Sequence, residues 1–153
     1  MGDPRRNKIF SEFVFRNFPK ATSVLVVADG KGELATFLSR KYKVHVIEAK
    51  PRQETLRKRV FYQKGWFTDN ILVEEDIIVG MHPDEATAAI IRAAVRNNKK
   101  WAVVPCCLKG LDAHGVPNFS AWKRKLRRID TRAREVRETC LPFNGKNTVL
   151  WSI

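Results

Sequence analysis

Asp29, Gly30 and Gly32 follow an apolar, β-branched run from Ser23 to Ala28, and Glu48 closes a second such run, Val44 to Ile47. A buried strand that ends in closely spaced glycines can turn sharply and approach a ligand. A helix begun at that turn aims its first N–H groups at whatever sits above it. Leu34, Phe37 and Leu38 recur at helical spacing, which predicts this helix from near Gly32 to about Tyr42. A carboxylate at the end of the next strand is placed to accept hydrogen bonds from both hydroxyls of a ribose. Ala28, Asp29, Gly30, Gly32 and Glu48 therefore read as the holder of a nucleotide-like cofactor.

The elements that must position these residues alternate along the chain. A helix over 7–18 carries Ile9, Phe10, Phe13, Val14 and Phe18 on one face and is expected to pack onto the fold. After the first strand, helix and second strand come a helix over 51–59 and a strand over 60–67. A fourth strand is expected over 76–81, a helix over 84–97, a fifth strand over 101–106 and a helix over 119–129. Strands over 135–141 and 147–153, joined by Pro142-Phe143-Asn144-Gly145, form a closing antiparallel hairpin. The fold class is α/β, one domain over 1–153 with residues 1–20 as an N-terminal helix against it.

Ligands of such sheets lie beyond the carboxyl ends of the strands, which puts weight on residues just after each strand. Asp69 is placed to accept from an adenine amino group, or else it caps a surface turn. His82 is a candidate base or orienting group and Asp84 its acidic companion. Asp84 also suits the N-cap of the helix that follows, with Pro83 and Glu85 favouring the same end. Cys106 and Cys107, after the fifth strand, line the acceptor side of the pocket as ordinary thiols, or one of them, exposed and activated, serves as a nucleophile.

Val24 to Ala35 resembles the cofactor turn of the S-adenosylmethionine (SAM) dependent methyltransferases of Rossmann type. Gly80-Met81-His82-Pro83-Asp84, Val104-Pro105-Cys106-Cys107 and Leu141 to Asn147 are similar to that family's segments after the fourth and fifth strands and at its last turn. The resemblance implies SAM as cofactor and a Rossmann-like three-layer sandwich, its mostly parallel sheet closed by a C-terminal antiparallel hairpin. Two positions depart from the pattern: Val26 stands where an acidic residue is usual, and Asp29 where a glycine is. Asp29 restores the missing charge from a shifted position, or the cofactor site is weakened or lost. Weaker similarity to tRNA 2′-O-methyltransferases in the His82 and Cys106-Cys107 segments points to RNA, and more narrowly tRNA, as substrate. The acidic and Pro-Cys signature of the covalent RNA cytosine-5 methyltransferases is absent after the fourth strand.

Charge supports the same acceptor. Lys and Arg number 29 against 16 Asp and Glu, a net charge of +13, and such an excess favours polyanions. Lys123, Arg124, Arg127 and Arg128 fall opposite the Trp122, Leu126 and Ile129 face of their helix, as an RNA phosphate surface requires; the plain alternative is a solvated face. A non-catalytic RNA- or partner-binding module that keeps the fold is the competing function, and a partner subunit fits either. Three cysteines without a CxxC pair indicate neither a disulfide framework nor a metal site, and so a reducing compartment. No apolar run reaches membrane-spanning length. Cytoplasm or nucleus is expected; Arg5, Arg6, Lys8 and Arg16 leave a mitochondrial presequence open, against Asp3 and Glu12.

Overall fold

The structure is a computed structural model and describes residues 2–50, 59–132 and 135–153. The central strands form where runs of β-branched and aliphatic residues can be buried on both faces, the pattern of a parallel sheet covered by helices on either side. They are β1 (Ser23–Val27), β2 (Lys43–Glu48), β3 (Val60–Lys64), β4 (Ile77–Met81) and β5 (Lys100–Val104), with β6 (Val136–Cys140) and β7 (Thr148–Ser152) closing the chain. The sheet order is β3-β2-β1-β4-β5-β7-β6. The first five strands are parallel, and β7 runs antiparallel between β5 and β6. The hairpin expected at the C-terminus is therefore present, and the chain has the α/β sandwich its pattern implies.

Period-two alternation divides the core into two layers. Val24, Val26, Ile77, Val79, Ala102, Val104, Val149 and Trp151 face one side, where α1 (Arg6–Asn17) contributes Phe10, Phe13 and Val14, and α2 (Glu33–Leu38) contributes Leu34 and Leu38. Leu25, Val27, Ile78, Trp101, Val103 and Leu150 face the other. There α3 (Thr87–Arg96) adds Ile90 and Ile91, and α4 (Phe119–Arg127) adds Trp122 and Leu126. Asn118 caps α4, its side-chain oxygen accepting the Ala121 N–H at 2.9 Å.

Several boundaries differ from the pattern for local reasons. Helix α2 stops at Leu38 rather than near Tyr42, because the amides of Arg40 and Lys41 bond back three residues and Ser39 Oγ donates to the Thr36 carbonyl. Strand β3 ends at Lys64, not Phe67: the Gly65 N–H makes the last bond, to the Glu48 carbonyl, and Trp66 and Phe67 turn out of the sheet. Pro105, which lacks an N–H, follows the end of β5 at Val104. The helix expected over 84–97 is a 3-10 turn, Asp84–Ala86, followed by α3. The helix expected over 51–59 lies, apart from Arg59, outside the described residues. Among the described residues no helix is long and apolar enough to cross a membrane.

Candidate active site

The turn after β1 is built from left-handed backbone at Ala28 (φ +60), Gly30 (φ +62) and Gly32 (φ +78). Gly32 is required twice, since a Cβ there would also lie 2.8 Å from the Tyr62 hydroxyl. Glu48, at the end of β2, accepts the Gly30 N–H at 2.8 Å with Oε2 and the Lys50 N–H at 2.9 Å with Oε1. Oε2 so braces the turn from the neighbouring strand, while Oε1 holds the chain just past β2.

Asp29 behaves otherwise than the sequence suggests. Its carboxyl accepts the Leu34 N–H at 3.1 Å and the Ala35 N–H at 2.9 Å. The sequence pattern aims these first amides of α2 at a ligand; they are occupied by the chain itself. Burial, with Glu48 and Glu33 nearby, pushes the Asp29 pKa up to about 7 against the pull of those amides. Val26, one strand position removed from the turn, is fully buried in the core.

A cleft of about 1010 Å³ opens at the carboxyl ends of β1, β2 and β4. The turn from Ala28 to Lys31 lines it, with Glu48, Trp66, Phe67, the segment from Met81 to Ala86, and Cys106. Ala28, Asp29, Gly30, Glu48, His82, Asp84 and Cys106 are thus brought to one cavity, while Gly32 and Cys107 stand immediately beside it. The N-terminal segment, which sequence reasoning did not place there, forms part of the wall through Asp3, Pro4, Arg6 and Asn7. Asn7 donates to Glu33 at 2.9 Å, and Asp3 accepts the Asn144 N–H at 3.0 Å. No local signal reveals the second contact, which joins residues 141 positions apart.

His82 also has left-handed backbone (φ +50), and its Nε2 lies 2.8 Å from the Lys146 carbonyl in the hairpin turn. A carbonyl only accepts, so Nε2 carries the proton and Nδ1 holds the lone pair of the neutral ring. Burial, the largest influence, lowers the His82 pKa and favours that neutral form.

Asp84 does not cap α3. With φ +49 it opens the 3-10 turn, its carbonyl accepts from the Thr87 hydroxyl, and its carboxylate faces the loop after β5. Cys106 Sγ lies 3.1 Å and Cys107 Sγ 3.4 Å from Asp84 Oδ1, and the two sulfurs are 3.1 Å apart. Lys109 Nζ approaches the same oxygen at 3.7 Å. Partial burial opposes ionisation of Asp84, yet the thiols and Lys109 bring its pKa below the usual range. Burial, with Cys107 and Asp84 adding to it, pushes the Cys106 pKa up, the opposite of what an attacking thiolate needs.

The remaining candidates lie elsewhere. Asp69 pairs with Arg92 Nε at 2.6 Å and Arg96 Nη1 at 3.2 Å, and it is not among the residues lining the cleft. Its carboxylate braces α3 rather than capping a turn. Lys123 and Arg127 approach Glu138 at 3.2 and 4.0 Å, and Arg127 donates to the Val136 carbonyl. Arg124 and Arg128 are exposed and make no ion pair with the described residues. None of these four side chains, three on α4 and Arg128 just past it, lines the cleft.

No family model matches the chain, and no curated protein matches its sequence. Solved structures do share its architecture. SibL, an S-adenosylmethionine-dependent methyltransferase in its apo form, superposes with a TM-score of 0.65 at 17% identity, over 95% of this chain and 53% of its own. The SAM-bound amino pentose methyltransferase of Micromonospora echinaspora gives a TM-score of 0.63 at 8% identity, over 95% and 89%. The sugar N-methyltransferase KedS8 from Streptoalloteichus gives 0.61 at 13%, over 98% and 87%. The chain thus spans about half the length of SibL and most of the other two. A seven-stranded, mostly parallel sheet with an antiparallel C-terminal end is the fold this chain shares with these SAM-dependent methyltransferases.

Proposed function

We propose that the chain binds S-adenosylmethionine in the cleft and transfers its methyl group, with RNA as the acceptor. Glu48 carries the cofactor half of this reading. Each of its oxygens holds one backbone N–H and keeps capacity for another donor, at the edge of a cavity large enough for a nucleoside-sized ligand. The left-handed backbone at Ala28 and Gly30 admits ligand atoms close to the chain, and Trp66 and Phe67 offer aromatic faces in the same cleft. When bound, the cofactor supplies a methyl group on a positively charged sulfur, so the chain's tasks are to orient the acceptor and take its proton. His82 is the residue suited to the second task, since its ring is neutral and its Nδ1 lone pair is not used by the Lys146 contact.

RNA as acceptor is supported by the net charge of +13 and by Arg124 on α4 and Arg128 at its C-terminal end, both free of acidic partners among the described residues. Phosphates held there would lie outside the cleft and position the strand, leaving the reacting nucleotide to reach His82. A second reading, a binding module without transfer, is favoured by one observation. Asp29 is turned onto the amides of α2, burial raises its pKa to about 7, and Val26 is buried, so β1 presents no fully ionised carboxylate to the methionine end of the cofactor.

Calorimetric titration with SAM and S-adenosylhomocysteine, followed by transfer of labelled methyl to total RNA, tests both. Cofactor binding with transfer to RNA supports the enzyme. RNA binding without cofactor binding supports the module, and cofactor binding without transfer to RNA overturns the acceptor.

A further inference from the structure

We infer that Asp84, Cys106 and Cys107 form a site for one thiophilic divalent cation of the zinc type, with an open coordination position on the cleft side. One carboxylate oxygen and two sulfurs, all within 4.8 Å of one another, already converge. A tetrahedral ion with sulfurs at about 2.3 Å and oxygen at about 2.1 Å needs its ligand atoms roughly 3.5 to 3.8 Å apart. The present separations of 3.1, 3.1 and 3.4 Å open to that spacing by under about 1 Å.

The convergence is fixed by the sheet. Met81 and Val104 are register partners at the ends of β4 and β5, and the ligands follow three residues after one and two and three after the other. Asp84 reaches the thiols because it stands in left-handed backbone and leaves α3 uncapped, a conformation that an L residue adopts at a cost. The three groups face one another with few other partners, and a cation would satisfy all three together. The half-exposed Lys109 ammonium stands 3.7 Å from the same carboxylate oxygen, so the carboxylate already faces one cation. Two sulfur ligands select zinc-like ions over magnesium or calcium. Three protein ligands leave a fourth position for water or an acceptor oxygen, and Asp84 and Cys106 both border the cleft.

The test uses the full chain with reduced thiols and the metal alone, so it stands or falls independently of cofactor binding. Titration with Co²⁺ should produce thiolate-to-cobalt charge transfer and tetrahedral d–d absorption that saturate at one equivalent and are displaced by Zn²⁺. Cys140→Ser should keep the spectrum, and Cys106→Ser combined with Cys107→Ser should lose it. In competition with a chromophoric chelator, Asp84→Asn should bind Zn²⁺ at least about 10-fold more weakly. A wild-type protein that gives no thiolate–cobalt absorption overturns the inference, as does a spectrum that disappears with Cys140→Ser. Wild type and Cys140→Ser suffice for that decision, whether or not the double variant folds.

Discussion

In the cleft, Glu48 and Asp29 are held by backbone N–H groups, whereas along α3 and α4 charged side chains are held mainly by one another. Arg92 spans Asp69 and Asp112, Lys123 meets Glu138, and just past α4 the buried Asp130 takes Arg132 at 2.7 Å and the Trp101 indole N–H at 2.8 Å. A carboxylate that receives one N–H per oxygen keeps lone pairs for a ligand. A carboxylate enclosed by two cations is part of the scaffold. The same residue types therefore keep free acceptor capacity at the cleft and provide cohesion along α3 and α4.

The largest effect should come from the scaffold side. Asp130→Ala leaves Arg132 and the Trp101 N–H buried without their acceptor, and unfolding in urea should show a loss of about 3–5 kcal/mol. Asp130→Asn, which keeps an acceptor for Trp101, should lose less; equal losses would mean that the indole bond contributes nothing.

On the cleft side the effect should be read in affinity. Glu48→Ala removes charge-assisted hydrogen bonds worth roughly 1.5–3 kcal/mol, which predicts at least a tenfold weaker SAM complex by calorimetry. Asp69→Ala, acting only on Arg92 and Arg96, should leave SAM affinity unchanged. If the two variants weaken binding equally, the division between cleft and scaffold fails.

Asp29 sharpens the comparison through pH. Its carboxyl has a pKa near 7 in the fold against 3.8 for the ordinary group, so the folded chain binds more protons than the unfolded one between those values. Stability contributed by this group therefore falls as pH rises from about 4 to about 7 and is flat above, by at most about 4 kcal/mol. Asp29→Asn cannot ionise, and the difference in unfolding free energy between it and wild type should trace that slope. A difference constant with pH would show that the carboxyl ionises normally.

The smallest effect belongs to the outer cations. Replacing Arg124 and Arg127 by Gln should flatten the log–log salt dependence of RNA binding by about 0.7–0.9 for each phosphate no longer neutralised, with SAM affinity intact. Because Arg127 is partly engaged by Glu138 and the Val136 carbonyl, Arg124→Gln alone should account for most of the change. An unaltered slope in the double variant would remove α4 from the RNA surface.

Legibility in the sequence follows the range of the interactions concerned. Continuous burial of the apolar runs in β1, β4 and β7 and of one face of α3 and α4 follows from local sequence pattern, and these elements match their expected positions within a few residues. Glu48 is legible beside the turn because strand, turn, helix and strand are contiguous. The partners of Asp69 and Asp84 are not legible, because a carboxylate's choice depends on which cation or donor reaches it. Arg92 lies 23 residues from Asp69, and Cys106 lies 22 from Asp84. The three cysteines have no CxxC spacing, yet sheet register brings two adjacent thiols to a carboxylate from another loop.

By itself the amino-acid sequence determined the alternation of strands and helices, the closing hairpin, the glycine turn and the carboxylate that faces it, since each rests on periodic burial or on backbone freedom within a few residues. Only the tertiary structure decided which polar groups consume one another: Asp29 on the amides of α2, Asp69 on Arg92 and Arg96, His82 on the Lys146 carbonyl, Asp84 beside Cys106 and Cys107, and the N-terminal segment across the cleft. Hydrogen bonds and ion pairs act over a few ångströms, so chains must first be brought together by the core before their polar partners are chosen.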